Sequence, residues 1–166
     1  MGVYFILQGF KELDETFKDL EQQVKRPDLL AKNVFKPAIL EALQPIAEQM
    51  KQDARYDANR RSNVDSKGKE KPHLRDTVTI QARFPTDQDK NSMFISDKDT
   101  YIGVVGVKKS AVSLAQEFGT ANVSAKPFIR QAFDGNVETV TNIMKNKLAE
   151  TLPAQLIKLK KYQGYK

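Results

Sequence analysis

Residue types that commonly perform chemistry are sparse in this sequence of 166 residues. His73 is the only histidine and cysteine is absent, so no nucleophile is paired with a marked base, and disulfides and thiolate metal sites are excluded. The absence of cysteine suits folding in a reducing cytoplasm. A single histidine in a polar segment is usually a surface residue, and this is our interpretation of His73.

Oxygen ligands for a metal ion are suggested by the acids Asp87, Asp89, Asp97 and Asp99. A calcium-binding loop needs Gly at its sixth position and Glu at its twelfth, and neither "TDQDKNSMFISD" nor "DKDTYIGVVGVK" supplies both. We therefore predict that these acids solvate turns, and that the protein holds no metal ion.

A phosphate-binding loop is suggested by "GVVG" at residues 103–106. A Walker loop requires Gly-Lys-Ser/Thr at the start of a helix, whereas these glycines lie in an apolar run typical of a strand. We predict no cofactor and no enzymatic activity. A hydrolase without a marked catalytic set stays as an alternative, in which Glu117 is the first residue to test.

The segment "LAQEFGTANVSAKPFIRQAF", residues 114–133, combines an acid, glycine and aromatic residues. Gly119 favours a chain reversal because glycine adopts positive φ at low cost, and Pro127 suits the first turn of a helix. Glu117, if buried, needs donors, which backbone N–H groups or Arg130 could supply. We interpret the segment as a structural corner. Its residues, also a candidate subunit interface, are Glu117, Phe118, Gly119, Thr120, Pro127, Phe128 and Arg130.

Positive charge is concentrated in two places, although the whole chain carries only +6. Residues 51–75 hold eight Lys/Arg and four Asp/Glu, and residues 158–166 hold four Lys and no acid. This distribution predicts anionic partners for an internal loop and for the C-terminal tail. The candidate contacts are Arg60, Arg61, Lys67, Lys69, Lys71, Lys158, Lys160 and Lys161.

Two kinds of partner fit the basic loop. Its arginines and lysines could neutralise phosphates, which predicts salt-dependent nucleic-acid binding. Single-strand binding normally alternates charge with stacking platforms, and Tyr56 is the only aromatic residue beside the loop. We therefore favour a protein partner with an acidic surface. We expect loop and tail to be disordered in the free protein, and we keep nucleic-acid binding as the alternative.

Hydrophobic periodicity predicts helices at both ends of the chain and strands between them. A short strand, "GVYFIL", precedes a helix at residues 10–24; a second helix at 29–56 should break near Lys36 and kink near Pro45. The strands follow in "LRDTVTIQARF", "SMFISD" and "TYIGVVGV". A short helix at 111–118 and a long one from 128 to about 150 complete the order. Asp134-Gly135-Asn136 interrupts the long helix, and Pro153 begins a final segment.

This order predicts an α+β fold, with a small antiparallel sheet of about three to four strands packed against two or more long helices. We assign residues 1–153 to a single domain with a long basic loop at 57–73, and residues 154–166 to a basic extension. "VYFIL" is too short for a secretory signal or a membrane span, and Ile6 argues against myristoylation, so we expect no membrane partner.

Residues 8–150 also resemble the tail-completion proteins of long-tailed phages, which are small neck or minor-tail components. "AQEFGTANVSAKPFIRQAF" is similar to their Glu-Phe-Gly-Thr, spacer, Ala-x-Pro-Phe-hydrophobic-Arg-x-Ala signature. Upstream, "LQGFKELDETFKDL", "PAILEALQPIAEQMKQDA" and "HLRDTVTI" resemble the opening helix, the second helix and the strand entry. The sequence "NRRSNVDSKGKEKPH" departs from the Ala-Pro-x-x-Thr-Gly of many members, and the basic tail lies outside the match.

The resemblance implies a virion structural protein of the neck or tail top, which completes the tail and joins it to the head connector. It implies a homo-oligomeric ring, most simply a hexamer, assembled in the host cytoplasm. The expected partners are a tail-terminator or tail-tube protein, a head-completion protein, and DNA that passes through the channel without sequence-specific contact. A tail-terminator ring is the alternative role.

Overall fold

The computed structural model describes residues 30–56, 67–90 and 101–163. A π-helical turn, Ala31–Phe35, opens the described chain, and a 3-10 turn, Leu74–Thr77, precedes the first strand. The α-helices are α1 (Lys36–Ala42), α2 (Gln44–Asp53), α3 (Asp87–Lys90), α4 (Ala111–Phe118), α5 (Ile129–Asp134) and α6 (Val137–Gln163). The strands are β1 (Thr79–Arg83) and β2 (Ile102–Gly106).

The predicted α+β class is confirmed, but the described sheet has two strands instead of three or four. β1 and β2 pair antiparallel, with Ile80 opposite Val105 and Ala82 opposite Gly103. They coincide with the predicted strands in "LRDTVTIQARF" and "TYIGVVGV". The other two predicted strands, "GVYFIL" and "SMFISD", lie outside the described residues, as does the helix at 10–24.

The predicted 29–56 helix contains two prolines, and the helix is interrupted near the second of them only. Pro37 and Pro45 each lie in the first turn of a separate helix, α1 and α2, where a missing N–H costs no hydrogen bond. The π-helical turn ends where α1 begins, and the Lys36 N–H donates to the carbonyl of Ala31. This wider turn accommodates the proline that follows, so the predicted break near Lys36 is wrong: the helix changes from π to α there without an interruption. The kink near Pro45 is confirmed, because a turn at Leu43 separates α1 from α2.

The core forms where α1 and α2 cover the sheet. Gly103 allows the closest approach, because a Cβ there would lie 2.6 Å from Ile39 Cγ2 and 2.8 Å from Leu43 Cδ1. The apolar residues of this helical segment that face the core are buried: Leu30, Val34, Leu43, Ile46 and Met50. Phe128 and Phe133 are also buried, so α5 is anchored on this core.

The C-terminal helices confirm one predicted break and contradict another. α5 ends at Asp134, and α6 begins after Gly135 and Asn136, where the interruption was expected. Pro153 does not begin a new segment but lies inside α6, where its exposed position leaves the unpaired carbonyl of Ala149 open to water.

The same helix corrects the expectation for the tail. Because α6 continues to Gln163, residues 154–163 are helical and not disordered. Val137, in the first turn of α6, is exposed, whereas Val140 and Leu148 of the same helix are buried. No helix among the described residues is both long and apolar enough to span a bilayer.

Candidate functional site

The corner is preceded by α4, whose first turn is closed by two serines. Ser110 Oγ accepts a hydrogen bond from the Ser113 N–H at 3.1 Å, and Ser113 Oγ accepts one from the Ser110 N–H at 2.9 Å. This reciprocal capping box satisfies donors that a helix start otherwise leaves unpaired. α4 runs from Ala111 to Phe118, the range predicted from sequence, and ends where the corner begins.

Glu117 is the polar centre of the corner. Its carboxylate is buried, with 8% of the residue exposed, and it caps the start of α5. Oε2 accepts hydrogen bonds from the N–H groups of Phe128 and Ile129, both at 3.0 Å, and Oε1 accepts one from the Arg130 N–H at 3.3 Å. A negative charge at a helix N-terminus is also favoured by the helix dipole. The donors are backbone N–H groups, one of the two sources that the sequence suggested.

Gln116 forms a second brace, from the same helix to a different partner. Its Nε2 donates to the Asp53 carbonyl at 3.0 Å, and its Oε1 accepts from the Arg55 N–H at 3.0 Å. The side chain therefore satisfies two backbone groups where α2 ends. Consecutive buried residues of α4 thus hold the end of α2 and the start of α5.

Gly119 makes the chain reversal possible. Its φ of +76° is a conformation that residues with a Cβ rarely adopt. A Cβ at this position would also lie 3.0 Å from both the Val123 carbonyl oxygen and the Ala125 N–H nitrogen. Thr120 and Val123 exchange backbone hydrogen bonds across the turn, and the Lys126 N–H returns to the Gln116 carbonyl. The predicted chain reversal is therefore present and depends on glycine.

The outward surface of this region is uncharged. Residues 110–125 contain one charged residue, the buried Glu117, although 29% of the whole chain is charged. Phe118 is 66% exposed, and the other large apolar side chains at the surface of this stretch are Val112, Leu114 and Val123. We call residues 110–125 the neutral surface. Depletion of charge together with exposed apolar groups is typical of the centre of protein–protein contacts.

The structure divides the predicted corner residues into two groups. Glu117 and Phe128 lie inside, and Gly119 and Pro127 are partly buried. These residues shape the corner and offer little to a neighbour. Phe118, Thr120 and Arg130 are exposed and remain available for contact. The residues proposed from sequence as one candidate interface therefore have two roles. The buried ones brace the corner from inside, and the exposed ones form an outer face.

A second site lies where the two ends of the basic loop meet. The Arg75 guanidinium lies over the Tyr56 ring, 3.4 Å from its centroid, and the His73 ring packs against Tyr56 with 4.9 Å between centroids. We call these three side chains the Tyr56 stack. The stack borders a groove of about 620 Å³. The lining residues are Lys51, Gln52, Ala54, Tyr56, Arg75, Asp76 and Val78.

The predicted anionic-partner contacts are only partly described. Lys67, Lys69 and Lys71 are exposed on the described end of the loop, and Lys158 is exposed on α6. Arg60 and Arg61 lie outside the described residues, as do the side chains of Lys160 and Lys161. The expected disorder of the loop stays a prediction.

The prediction that the acids considered as metal ligands solvate turns is wrong for Asp89. Asp89 is fully buried, pairs with the Arg83 guanidinium, and accepts hydrogen bonds at 2.6 Å from the N–H and the hydroxyl of Thr86. It thereby closes the first turn of α3. Asp97 and Asp99 lie outside the described residues. Within the described chain, no three acids or histidines gather as a metal site would require.

Sequence reasoning missed Gln116, Ser113 and Lys51. Gln116 carries no signal, because a glutamine in a short helix is usually exposed. The Ser-x-x-Ser spacing of Ser110 and Ser113 is a weak form of the capping box and could have indicated the helix start. Lys51 was counted in the net charge of the basic region, but only the fold brings it beside Tyr56 and Arg75.

Comparison of this chain with models of protein families, with curated proteins and with solved structures finds no match. The fold and the two sites therefore define an α+β protein with a braced corner and a basic groove. The resemblance to phage tail-completion proteins therefore rests on the sequence motifs alone.

Proposed function

We propose that this protein is a structural component of the neck or tail top of a long-tailed phage. In this role, copies of the chain form a ring, most simply a hexamer, that completes the tail and joins it to the head connector. The observation that carries the proposal is the corner, where the signature residues meet in space. The proposal is that they build a subunit shape and perform no chemical step.

The contacts of Glu117 support a structural role. Both carboxylate oxygens accept backbone N–H groups, and the residue is almost fully buried. A general base needs a substrate proton within about 3 Å, and a carboxylate occupied by a helix start is poorly placed to reach one. The spacing from Glu117 to Phe128 is then a requirement of the brace, which explains why the acid and the Pro-Phe pair belong to one signature.

The neutral surface supports assembly from identical copies. The chain carries a net charge of +6 that is concentrated in residues 51–75 and 158–166, so contact between copies through those segments is unfavourable. Contact through residues 110–125 avoids this repulsion, because the only charge there is buried. Burial of Phe118, Leu114 and Val112 against a neighbour supplies the apolar area that ring contacts need.

The proposal is tested by deletion of the coding sequence in the phage, followed by electron microscopy of the lysate. We expect filled heads and tails that do not join, and wild-type protein supplied in trans restores whole particles. Tails of irregular length would favour the tail-terminator alternative. Normal particles from the deletion would contradict a role in the neck or tail top.

Complementation with point variants then tests the contact surface. Phe118→Asp places a charge on the neutral surface and should reduce the yield of joined particles at least tenfold. Val137→Asp is the matched control, because Val137 is also exposed but lies in the first turn of α6, outside the neutral surface. Equal yields from the two variants would contradict the assignment of this surface as the subunit contact.

A further inference from the structure

The proposed neck role does not explain the Tyr56 stack, in which two planar side chains are stacked at the surface. Tyr56 stays 44% exposed although Arg75 covers part of its ring, and the Arg75 side chain is 41% exposed. Two planar groups therefore stack on each other and remain partly open to water. An arginine that only supported the fold would gain more from a buried acceptor than from an exposed aromatic ring.

The groove beside the stack is positively charged. Lys51 and Arg75 contribute cations to the wall, while Asp76 is the one acid among the lining residues and lies 3.7 Å from Arg75 Nε. Arg55 is exposed next to Tyr56, and its backbone is held in place by Gln116. Lys51 and Arg75 thus outnumber the single acid beside the planar platform, and the electrostatic field favours an anionic ligand.

We propose that this groove binds single-stranded nucleic acid. An unpaired base stacks on the Tyr56–Arg75 platform, and Lys51 and the Arg75 guanidinium neutralise the adjoining phosphates. A base inside a duplex already has both faces covered, so it cannot use the platform. An acidic peptide would use the cations but has no need of a planar surface. The site is independent of the neutral surface and of the proposed ring.

The experiment measures fluorescence anisotropy of a short fluorescein-labelled oligothymidine titrated with the full chain. Two phosphate contacts predict that affinity falls roughly sevenfold between about 50 mM and about 200 mM salt. Unlabelled oligothymidine should displace the probe. Duplex DNA of the same length and a polyglutamate peptide should displace it only at much higher concentration.

Variants separate stacking from charge. Arg75→Lys keeps the positive charge but loses the planar group, and Tyr56→Ala removes the ring; each should weaken binding at least about fivefold. Tyr56→Phe keeps the ring and should bind like wild type. Lys145→Ala, which removes an exposed lysine on α6 outside the groove, should change affinity less than about twofold. Circular dichroism establishes whether each variant is folded. If Tyr56→Ala unfolds, the comparison of Arg75→Lys with wild type shows whether stacking contributes to binding.

Several outcomes overturn the proposal. One is the absence of binding at the lower salt concentration. A second is an affinity for duplex DNA that equals the affinity for the single strand. A third is equal loss in Arg75→Lys and Lys145→Ala, which would mean dispersed charge without a site. Displacement by polyglutamate as readily as by oligothymidine would identify an acidic protein as the partner instead.

Discussion

The corner and the basic groove use polar side chains in opposite ways. In the corner, Glu117 and Gln116 direct their polar atoms inward to backbone groups, and the neutral surface at residues 110–125 carries no exposed charge. In the groove, Lys51, Tyr56 and Arg75 lie around an open space. The charged residue of the corner, Glu117, is an internal brace, whereas Lys51 and Arg75 line an open groove. The sequence alone does not distinguish these two uses of charge, because they depend on the fold.

The difference follows from where the backbone has unpaired donors. The start of α5 presents N–H groups in a buried place that water does not reach, so a carboxylate from the same chain must satisfy them. The ends of the basic loop lie at the surface, where the side chains of Arg55, Lys67 and Lys69 are exposed. The predictions below test this contrast, in order of decreasing effect.

The largest effect is expected from Glu117→Ala. It leaves three backbone N–H groups without their acceptor, two of them buried, and should lower the free energy of unfolding by about 3 kcal/mol. Urea denaturation measures the change. Glu138→Ala is the control, because Glu138 is an exposed acid in the first turn of α6 and should cost less than about 0.5 kcal/mol. If the two variants were equally stable, Glu117 would not be a brace.

Two glycines with nearly the same φ allow a matched test. Gly119 and Gly68 have φ values of +76° and +77°, but a Cβ would meet backbone atoms at 3.0 Å in the corner and nothing within 4 Å in the loop. Gly119→Ala should cost about 3 kcal/mol of unfolding free energy, and Gly68→Ala about 1 kcal/mol. Thermal or urea unfolding measures both. A cost for Gly68→Ala as large as that for Gly119→Ala would remove the distinction between a packed corner and an open loop.

Phe118→Asp should change the free energy of unfolding by less than about 0.5 kcal/mol, because the side chain is already 66% exposed. Its effect should appear only in assembly. Urea denaturation of the purified variant, set beside its yield of joined particles, separates folding from contact. Strong destabilisation would mean that Phe118 supports the fold and not a neighbour.

The smallest effect is expected at a surface ion pair away from both regions. Lys147 Nζ lies 3.1 Å from Glu41 Oε2 and 3.5 Å from Glu150 Oε2, and the hydrogen bond to Glu41, followed by the charge of Glu150, raises the pKa of Lys147 above its ordinary value of 10.5. A pKa that is higher in the folded state stabilises the fold at pH below 10.5. This contribution is lost as the pH rises through the folded-state value.

Lys147→Met should therefore destabilise slightly at pH 8 and lose that difference at strongly alkaline pH. Urea midpoints at the two pH values, together with an NMR titration of the Lys147 side chain, check the sign. A difference that grows with pH would contradict it. The measured loss of unfolding free energy shows how much an ordinary exposed contact contributes, and the losses at Glu117 and Gly119 can be compared with it.

Local signals in the sequence predicted much of the fold. Pro45 indicated the kink, the interval from Ala111 to Phe118 was predicted as a helix, and the Asp134-Gly135-Asn136 interruption was found. Pro37 did not break the helix, because a π-helical turn accommodates it. Each depends on neighbours in the chain, for which proline, glycine and period are sufficient guides. The tail was mispredicted because a proline at an exposed position in a helix breaks only one hydrogen bond and does not always end the helix.

The candidate sites were less predictable, because they join distant residues. Glu117 could be recognised as a residue in need of donors, but its use of the α5 backbone depends on the turn between them. Gln116 reaches the end of α2 across 63 positions of sequence, and no local pattern indicates such a contact. The stacking of Arg75 on Tyr56 similarly requires that both ends of the basic loop return to the same place.

The central claim is that the protein is a built-in part of the virion, and quantitative mass spectrometry of purified particles tests it most directly. The account predicts a small, fixed number of copies per particle, in keeping with a single ring, and retained after a high-salt wash. Absence of the chain from purified particles, or an amount that varies between preparations and falls with washing, would contradict the account.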